Sequence, residues 1–196
     1  MNDRCLVVVD GENLTMRYQA MVSKGFAPHP YTFHEQDVCV WNGKILWVPD
    51  SSHGDLCADI YRVAYYTSCT GDDAALKKVS SQIAGQIFSC MRSSAGGVAM
   101  GHLTPYVFKK LRRSQKTRQV DIHICLDALR GAYMDSYDTL AILSGDSDYI
   151  ALTRDIMKRG KRVVVGALSD GLSDDLRLSC DLFICLDRRL FVIENE

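Results

Sequence analysis

Three aspartates stand where a chain could do chemistry. Asp146 and Asp148 lie in the stretch 139–149, Thr-Leu-Ala-Ile-Leu-Ser-Gly-Asp-Ser-Asp-Tyr. The apolar run Leu140 to Leu143 is short, rich in Ile and Leu and closed by Ser-Gly, the pattern of a buried strand in a parallel sheet. Both carboxylates therefore fall just past a strand's carboxyl end, the edge where open α/β sheets bind ligands. Cys5 to Val9 is a second such run, and it delivers Asp10 to the same edge. Carboxylates crowded there repel, by about 1 kcal/mol at 4 Å in water and about 4 at an effective dielectric of 20. A divalent cation relieves that repulsion. Carboxylate oxygens suit Mg²⁺ or Mn²⁺, and such an ion can polarise a phosphodiester or make hydroxide from bound water. The competing reading is ordinary: Asp-x-Asp after a strand also occurs at simple turns, and Asp10 serves equally as a helix cap.

A cationic stretch complements the acids. Lys109, Lys110, Arg112, Arg113, Lys116 and Arg118 put six cations into ten residues with no acid among them. That suits a phosphate backbone, although a solvated face or loop has the same composition. The whole chain carries a net charge of −1, so any nucleic-acid affinity must be local.

The elements that position these groups alternate strand and helix. After Asp10, Gly11 permits a tight turn and Leu14 to Ser23 reads as a helix. Asp37 to Val48 contains two β-rich arms around Asn42-Gly43, which predicts an inserted β-hairpin over about 37–48. Its Trp41 and Trp47 suit packing on the body, a partner or a base. His34, Cys39, His53 and Cys57 flank it, but their spacing matches no strong zinc pattern. Tyr61 to Thr67 predicts a strand, 74–91 a helix with Ile83, Ile87 and Phe88 on its apolar face, 93–101 a loop, and Thr104 to Leu111 a strand. Val120 to Asp127 alternates like a strand yet runs into helical composition, so the local pattern leaves it open. If it is helical, Asp121 sits in the first turn, where the dipole favours a carboxylate. Helices are expected over 150–159, closed by Gly160, and over 172–179, with strands over 161–165 and 182–186 and Leu190 to Ile193 packing over the sheet. This is the pattern of a parallel, doubly wound α/β sheet.

With 196 residues and 47% hydrophobic content the chain predicts one domain over 1–196, with an insertion at about 27–60. No run approaches the roughly 18 apolar residues of a membrane span. Met-Asn-Asp-Arg leading at once into a strand does not read as a signal peptide, and the eight cysteines, with no Cys-x-x-Cys pair, read as reduced thiols. The expectation is a cytoplasmic protein.

Several segments together carry a resemblance. They are Val7-Val8-Val9-Asp10-Gly11-Glu12-Asn13, Arg118-Gln119-Val120-Asp121 running on to Asp127, Tyr137-Asp138, Leu143-Ser144-Gly145-Asp146-Ser147-Asp148-Tyr149, and Gly160-Lys161-Arg162-Val163. The chain resembles the NYN domain of the PIN-like nuclease superfamily, in particular its LabA-like branch, except over 27–60. The resemblance implies a three-layer PIN-like fold, a mainly parallel central sheet flanked by helices, with a Mg²⁺-dependent acidic pocket acting on RNA. It matches Asp10, Asp146 and Asp148 to the family's acids, Asn13 to the polar partner after the first strand, and Asp121 to the acid opening a helix, which favours helix over strand there. Where the family usually has Lys-Gly before Val-Asp, this chain has Arg118-Gln119.

The reading that follows is a metal-dependent ribonuclease. Asp10, Asp121, Asp146 and Asp148 hold Mg²⁺ or Mn²⁺, Asn13 orients a ligand or water, and Arg112, Arg113, Lys116 and Arg118 grip RNA. A metal-activated water attacks phosphorus in line, leaving a 5′-phosphate. The rival reading is a non-catalytic module that binds RNA or protein, with the hairpin as a docking or homodimerisation element. A hydrolase of small phosphorylated substrates is a further rival, against which a long cationic track argues.

Overall fold

The structure is a computed structural model that describes residues 3–46, 59–91, 97–112 and 117–193. The chain runs β1 (Arg4–Asp10), α1 (Gly11–Ser23), β2 (Phe33–Glu35), β3 (Cys39–Trp41), β4 (Asp59–Cys69), α2 (Asp73–Ala84), β5 (Ile87–Met91) and β6 (Val98–Lys109). It continues through α3 (Arg118–Tyr133), β7 (Thr139–Leu143), a 3-10 turn (Ser147–Tyr149), α4 (Ile150–Lys158), β8 (Arg162–Ala167), α5 (Asp174–Arg177), β9 (Leu182–Cys185) and α6 (Asp187–Leu190). Seven strands form one sheet in the order β5-β6-β4-β1-β7-β8-β9. Neighbours are parallel throughout, apart from β5 against β6.

This is the expected α/β architecture, a mostly parallel sheet between helical layers, consistent with a PIN-like fold. β1 is central because both its faces are covered, which is why it reads as an unbroken apolar run. Cys5, Val7 and Val9 pack with Leu14, Tyr18 and Met21 of α1 and with Val79 and Ile83 of α2. Leu6 and Val8 face the other way, toward Val120, Ile124 and Ala128 of α3 and Leu152 and Ile156 of α4. Side chains alternate along a strand, so Asp10 points with Leu6 and Val8 toward the α3 side. Strand order reverses at β1: β4 and β6 lie on one side, β7, β8 and β9 on the other. The crevice outside the carboxyl ends of β1 and β7 is therefore the topological switch point, where such sheets bind ligands.

Val120 to Asp127 is helical. Thr117 caps α3 through a hydrogen bond from the Gln119 N–H at 3.3 Å, so Arg118-Gln119 needs no glycine there. Gly160 adopts φ +74 just past α4, as a helix-ending glycine does.

Several boundaries differ from expectation. An inserted hairpin is present as a separate two-stranded sheet, but its strands are β2 and β3. The chain reverses at Gln36 to Val38, with Asp37 in the left-handed region at φ 60, a conformation Asp tolerates. Asn42-Gly43 forms a local turn instead: the Asn42 Oδ1 accepts the Lys44 N–H at 2.9 Å, and the Gly43 carbonyl accepts the Ser89 N–H at 2.7 Å. The arm beyond Leu46, with Trp47, His53 and Cys57, lies outside the described residues. Trp41 packs within the chain, donating its indole N–H to the Ile87 carbonyl at 2.8 Å.

The helix expected over 74–91 ends at Ala84, and 87–91 is the antiparallel edge strand β5. Ile87 is exposed while Phe88 and Cys90 are buried. Ile83 and Ile87 fit a helical face equally well, and only pairing with β6 decides. β6 starts at Val98, inside the expected loop, and the helix expected over 172–179 is the single turn α5. Phe191 stacks on Tyr18 with centroids 5.0 Å apart, bringing the C-terminal segment over the sheet as expected. Among the described residues no helix is long and apolar enough to cross a membrane.

Candidate active site

The Asp10 side chain is fully buried, and both of its oxygens meet hydrogen-bonding groups. Its Oδ1 accepts the Asn13 N–H at 3.0 Å, which caps α1 and places negative charge at a helix N-terminus. Its Oδ2 accepts from the Ser144 hydroxyl at 3.1 Å and faces the Tyr149 hydroxyl at 3.3 Å. The same hydroxyl lies 3.2 Å from Asp121 Oδ1, in the first turn of α3. Asp10 and Asp121, remote in sequence, thus meet on one tyrosine oxygen. Burial first, then the charges of Asp10 and Asp121, push the Tyr149 phenol far above its usual range, so it is neutral.

Asp146 and Asp148 sit on the loop that follows β7. Asp146 caps the 3-10 turn, its Oδ1 accepting the Asp148 N–H at 3.1 Å. Asp148 is exposed. Cys125 of α3 senses both sides of the cluster: its thiol is pushed up by burial first, then by Asp121 and Asp148. Asn13 performs a structural task here. It is buried, and its Oδ1 accepts the Gly145 N–H at 3.1 Å, tying α1 to the acidic loop. Asn13→Ala leaves that buried N–H without its partner. We expect a stability loss of about 1–2 kcal/mol in urea unfolding.

The cationic stretch divides. Arg112 is exposed and Arg118 opens α3 on the surface, whereas Arg113 and Lys116 lie outside the described residues. Lys110 points inward instead, with only 8% of its side chain exposed, and its Nζ is 3.8 Å from Glu12 Oε1. A run of basic residues signals a solvated track, so local pattern had no means of singling out Lys110. Glu12 is the acid that spacing did not identify. Its Oε1 accepts the Ser68 hydroxyl, and its Oε2 is buried with no hydrogen-bond partner among the described residues. Lys110→Met strips the cation from this buried carboxylate and is expected to cost about 2 kcal/mol. The double variant Glu12→Gln/Lys110→Met should recover part of that loss when both are compared in urea unfolding, because it buries no lone charge.

The donor set has the chemistry of a Mg²⁺ or Mn²⁺ site: hard carboxylate oxygens from several chain segments at one edge. Among the described residues no three His, Cys, Asp or Glu side chains are already grouped as a metal cage. Between Asp10 and Asp121 stands the Tyr149 hydroxyl.

A mostly parallel sheet with an acidic switch-point edge defines a PIN-like α/β domain. The profile of the NYN domain family matches residues 4–187, and the chain belongs to that family, which is generally nuclease-like. Among solved structures it is similar to VPA0982 of Vibrio parahaemolyticus, a protein of unknown function, with a TM-score of 0.54 and 18% identity over 97% of each chain. That likeness concerns the fold alone. No curated protein matches the chain.

Proposed function

We propose that this protein is a metal-dependent ribonuclease. The observation that carries the reading is the meeting of Asp10 and Asp121 on the Tyr149 hydroxyl at the sheet's switch point, the edge where the loop bearing Asp146 and Asp148 leaves β7. Asp10, Asp121, Asp146 and Asp148 would hold Mg²⁺ or Mn²⁺, which supplies charge stabilisation at phosphorus and hydroxide from water. The chain's own groups do the rest. Arg112 and Arg118 are exposed cations for phosphate oxygens, and Arg118 adds its charge at the N-terminus of α3, where backbone N–H groups also favour anions. Arg113 and Lys116 extend that cationic stretch in the sequence. Ser144 and Asn13 fix the Asp10 carboxylate and the Gly145 backbone, so the acidic loop is held before substrate arrives. Attack by water in line with the leaving oxygen yields a 5′-phosphate and a 3′-hydroxyl. The same reading takes the chain as one domain with 27–60 inserted, acting in the cytoplasm.

The test is cleavage of mixed-sequence RNA with Mn²⁺, followed by EDTA. Products bearing 5′-phosphates that cease to form on chelation support the reading. Binding of RNA without product in Mn²⁺ overturns it in favour of a binding module.

A further inference from the structure

A second place in the fold sets aromatic rings among cations. An open cavity of about 260 Å³ lies between α3 and the sheet face that bears Asp10. Tyr61, Arg62 and Tyr66 of β4, Tyr106 of β6, and Asp127 and Arg130 of α3 line it. Strand register builds this wall. Tyr66 pairs with Asp10 across β1 and β4, and Tyr106 pairs with Tyr66 across β4 and β6. Tyr106 therefore stands two strands from Asp10, about 10 Å along the sheet. Its ring is half-buried and stacks on the buried Tyr66 ring, with centroids 4.6 Å apart and planes 8° from parallel. The Tyr66 hydroxyl donates to Asp127 at 2.7 Å, so α3 holds the stack in place. Near the start of β4 the pairing skips Tyr61: Cys5 meets Ile60 and Leu6 meets Arg62. An extra residue of this kind re-aims side chains, and here Tyr61, 47% exposed, and Arg62 both border the cavity. Beyond Tyr106 on the same strand face, the Phe108 ring meets His123 with centroids 4.5 Å apart. His123, Asp127 and Arg130 fall at i, i+4 and i+7, one stripe of α3. Asp127 is the acid among the described lining residues, and Tyr66 and Arg130 engage its two oxygens at 2.7 and 3.3 Å. Arg62 is an exposed cation whose guanidinium lies 6.0 Å from the Tyr61 ring centroid.

We propose that this cavity is a subsite for one unpaired base of the RNA, stacked on Tyr106, with Arg62 set for the adjoining phosphate. The inference rests on the nuclease reading for its ligand, RNA, and deepens it: the strand that reaches the acidic edge lies along the groove between α3 and β6. Three features select this occupant. A base is flat and stacks on an aromatic plane whatever its identity. Pockets for drug-sized ligands run from about 300 to 1,000 Å³, so a cavity just below that range suits one base rather than a larger group. Cations stand at both ends of the groove, Arg62 at one and Arg112 and Arg118 at the other, which suits the phosphates joining successive bases. A duplex keeps its bases paired and stacked inward, so only an unpaired strand offers one.

The experiment measures binding of a short fluorescein-labelled RNA strand of mixed sequence to the full chain, by anisotropy in EDTA so that no cleavage intervenes. Tyr106→Leu keeps apolar bulk against Tyr66 but removes the aromatic plane. We expect it to bind about tenfold more weakly, about 1.4 kcal/mol. Tyr106→Phe should bind like wild type. Arg62→Gln should weaken binding and reduce its salt dependence by about one phosphate contact. The blunt duplex of the same sequence should not distinguish Tyr106→Leu from wild type. A second measurement needs no substitution: RNA carrying 4-thiouridine is irradiated on the wild-type protein, and crosslinked peptides are read by mass spectrometry. Crosslinks to the peptides holding Tyr61 or Tyr106 support the inference. Wild-type affinity in a folded Tyr106→Leu protein, an equal loss on the duplex, or crosslinks to other peptides alone overturn it and leave the nuclease reading intact. So does a wild type that cuts the strand with Mn²⁺ yet fails to bind it in EDTA. Tyr106-dependent binding without cleavage keeps the base subsite and overturns the nuclease reading, and a wild type that neither binds nor cuts overturns both.

Discussion

Asp121→Asn is expected to lose RNA cleavage by about 10²–10³-fold, the size seen when one preorganised polar group is removed from around a reacting centre. Asparagine is nearly the same shape as aspartate, and its amide oxygen still accepts from Tyr149, so the α3 side of the cluster keeps its geometry. What disappears is one negative charge. Asp121 is the target because the change to asparagine keeps an acceptor for Tyr149. Asp10 caps α1 and accepts from Ser144, and Asp146 caps the 3-10 turn. Asp121 accepts from Tyr149 and places an acid in the first turn of α3, the latter favourable by about 0.3–1 kcal/mol. Rates on RNA with Mn²⁺, read beside a thermal melt, check the expectation. A variant that melts like wild type and cuts as fast removes Asp121 from the site.

The second large effect is on stability. Gly11 opens α1 directly beneath the crossing from β1. A Cβ there would lie 2.4 Å from Cε1 of Tyr65 and 2.7 Å from the carbonyl oxygen of Tyr66. Neither can give way cheaply. Tyr65 is fully buried and its hydroxyl bonds the Val40 backbone, while the Tyr66 residue pairs with Asp10 in the sheet. Gly11→Ala should therefore cost about 3 kcal/mol, at the upper end for overpacking a core. In a protein of this length that is roughly 6–12 °C in melting temperature. Asp10 is the preceding residue, so the strain falls on the acidic edge as well. Calorimetry showing a shift under about 2 °C would mean that α1 can lift off β4 without penalty.

The elements that carry the acids were legible because their signals are local. β1, β7 and β8 are strands covered on both faces, and such strands must be unbroken apolar runs closed by turn residues. The first-turn placement of Asp121 needed more than the local pattern. Val120 to Asp127 alternates like a strand, and the resemblance to NYN domains tipped it toward the helix that α3 proved to be. The hairpin was legible as an element but not in its bounds. Asn42-Gly43 is a strong turn signal, and it is a turn, but one that docks on Ser89 rather than joining two strands.

By itself, then, the sequence determined the alternation of strand and helix, the delivery of Asp10, Asp146 and Asp148 to strand ends, and a cationic stretch between β6 and α3. Each follows from period, turn chemistry or charge within a few residues. Only the tertiary structure decided that Ile87 belongs to an edge strand, that Lys110 turns inward to Glu12, that Asn13 holds Gly145, and that Tyr149 stands between Asp10 and Asp121. Those outcomes depend on pairs far apart in the chain. Their partners are chosen by which strand lies beside which, and no local period records that choice.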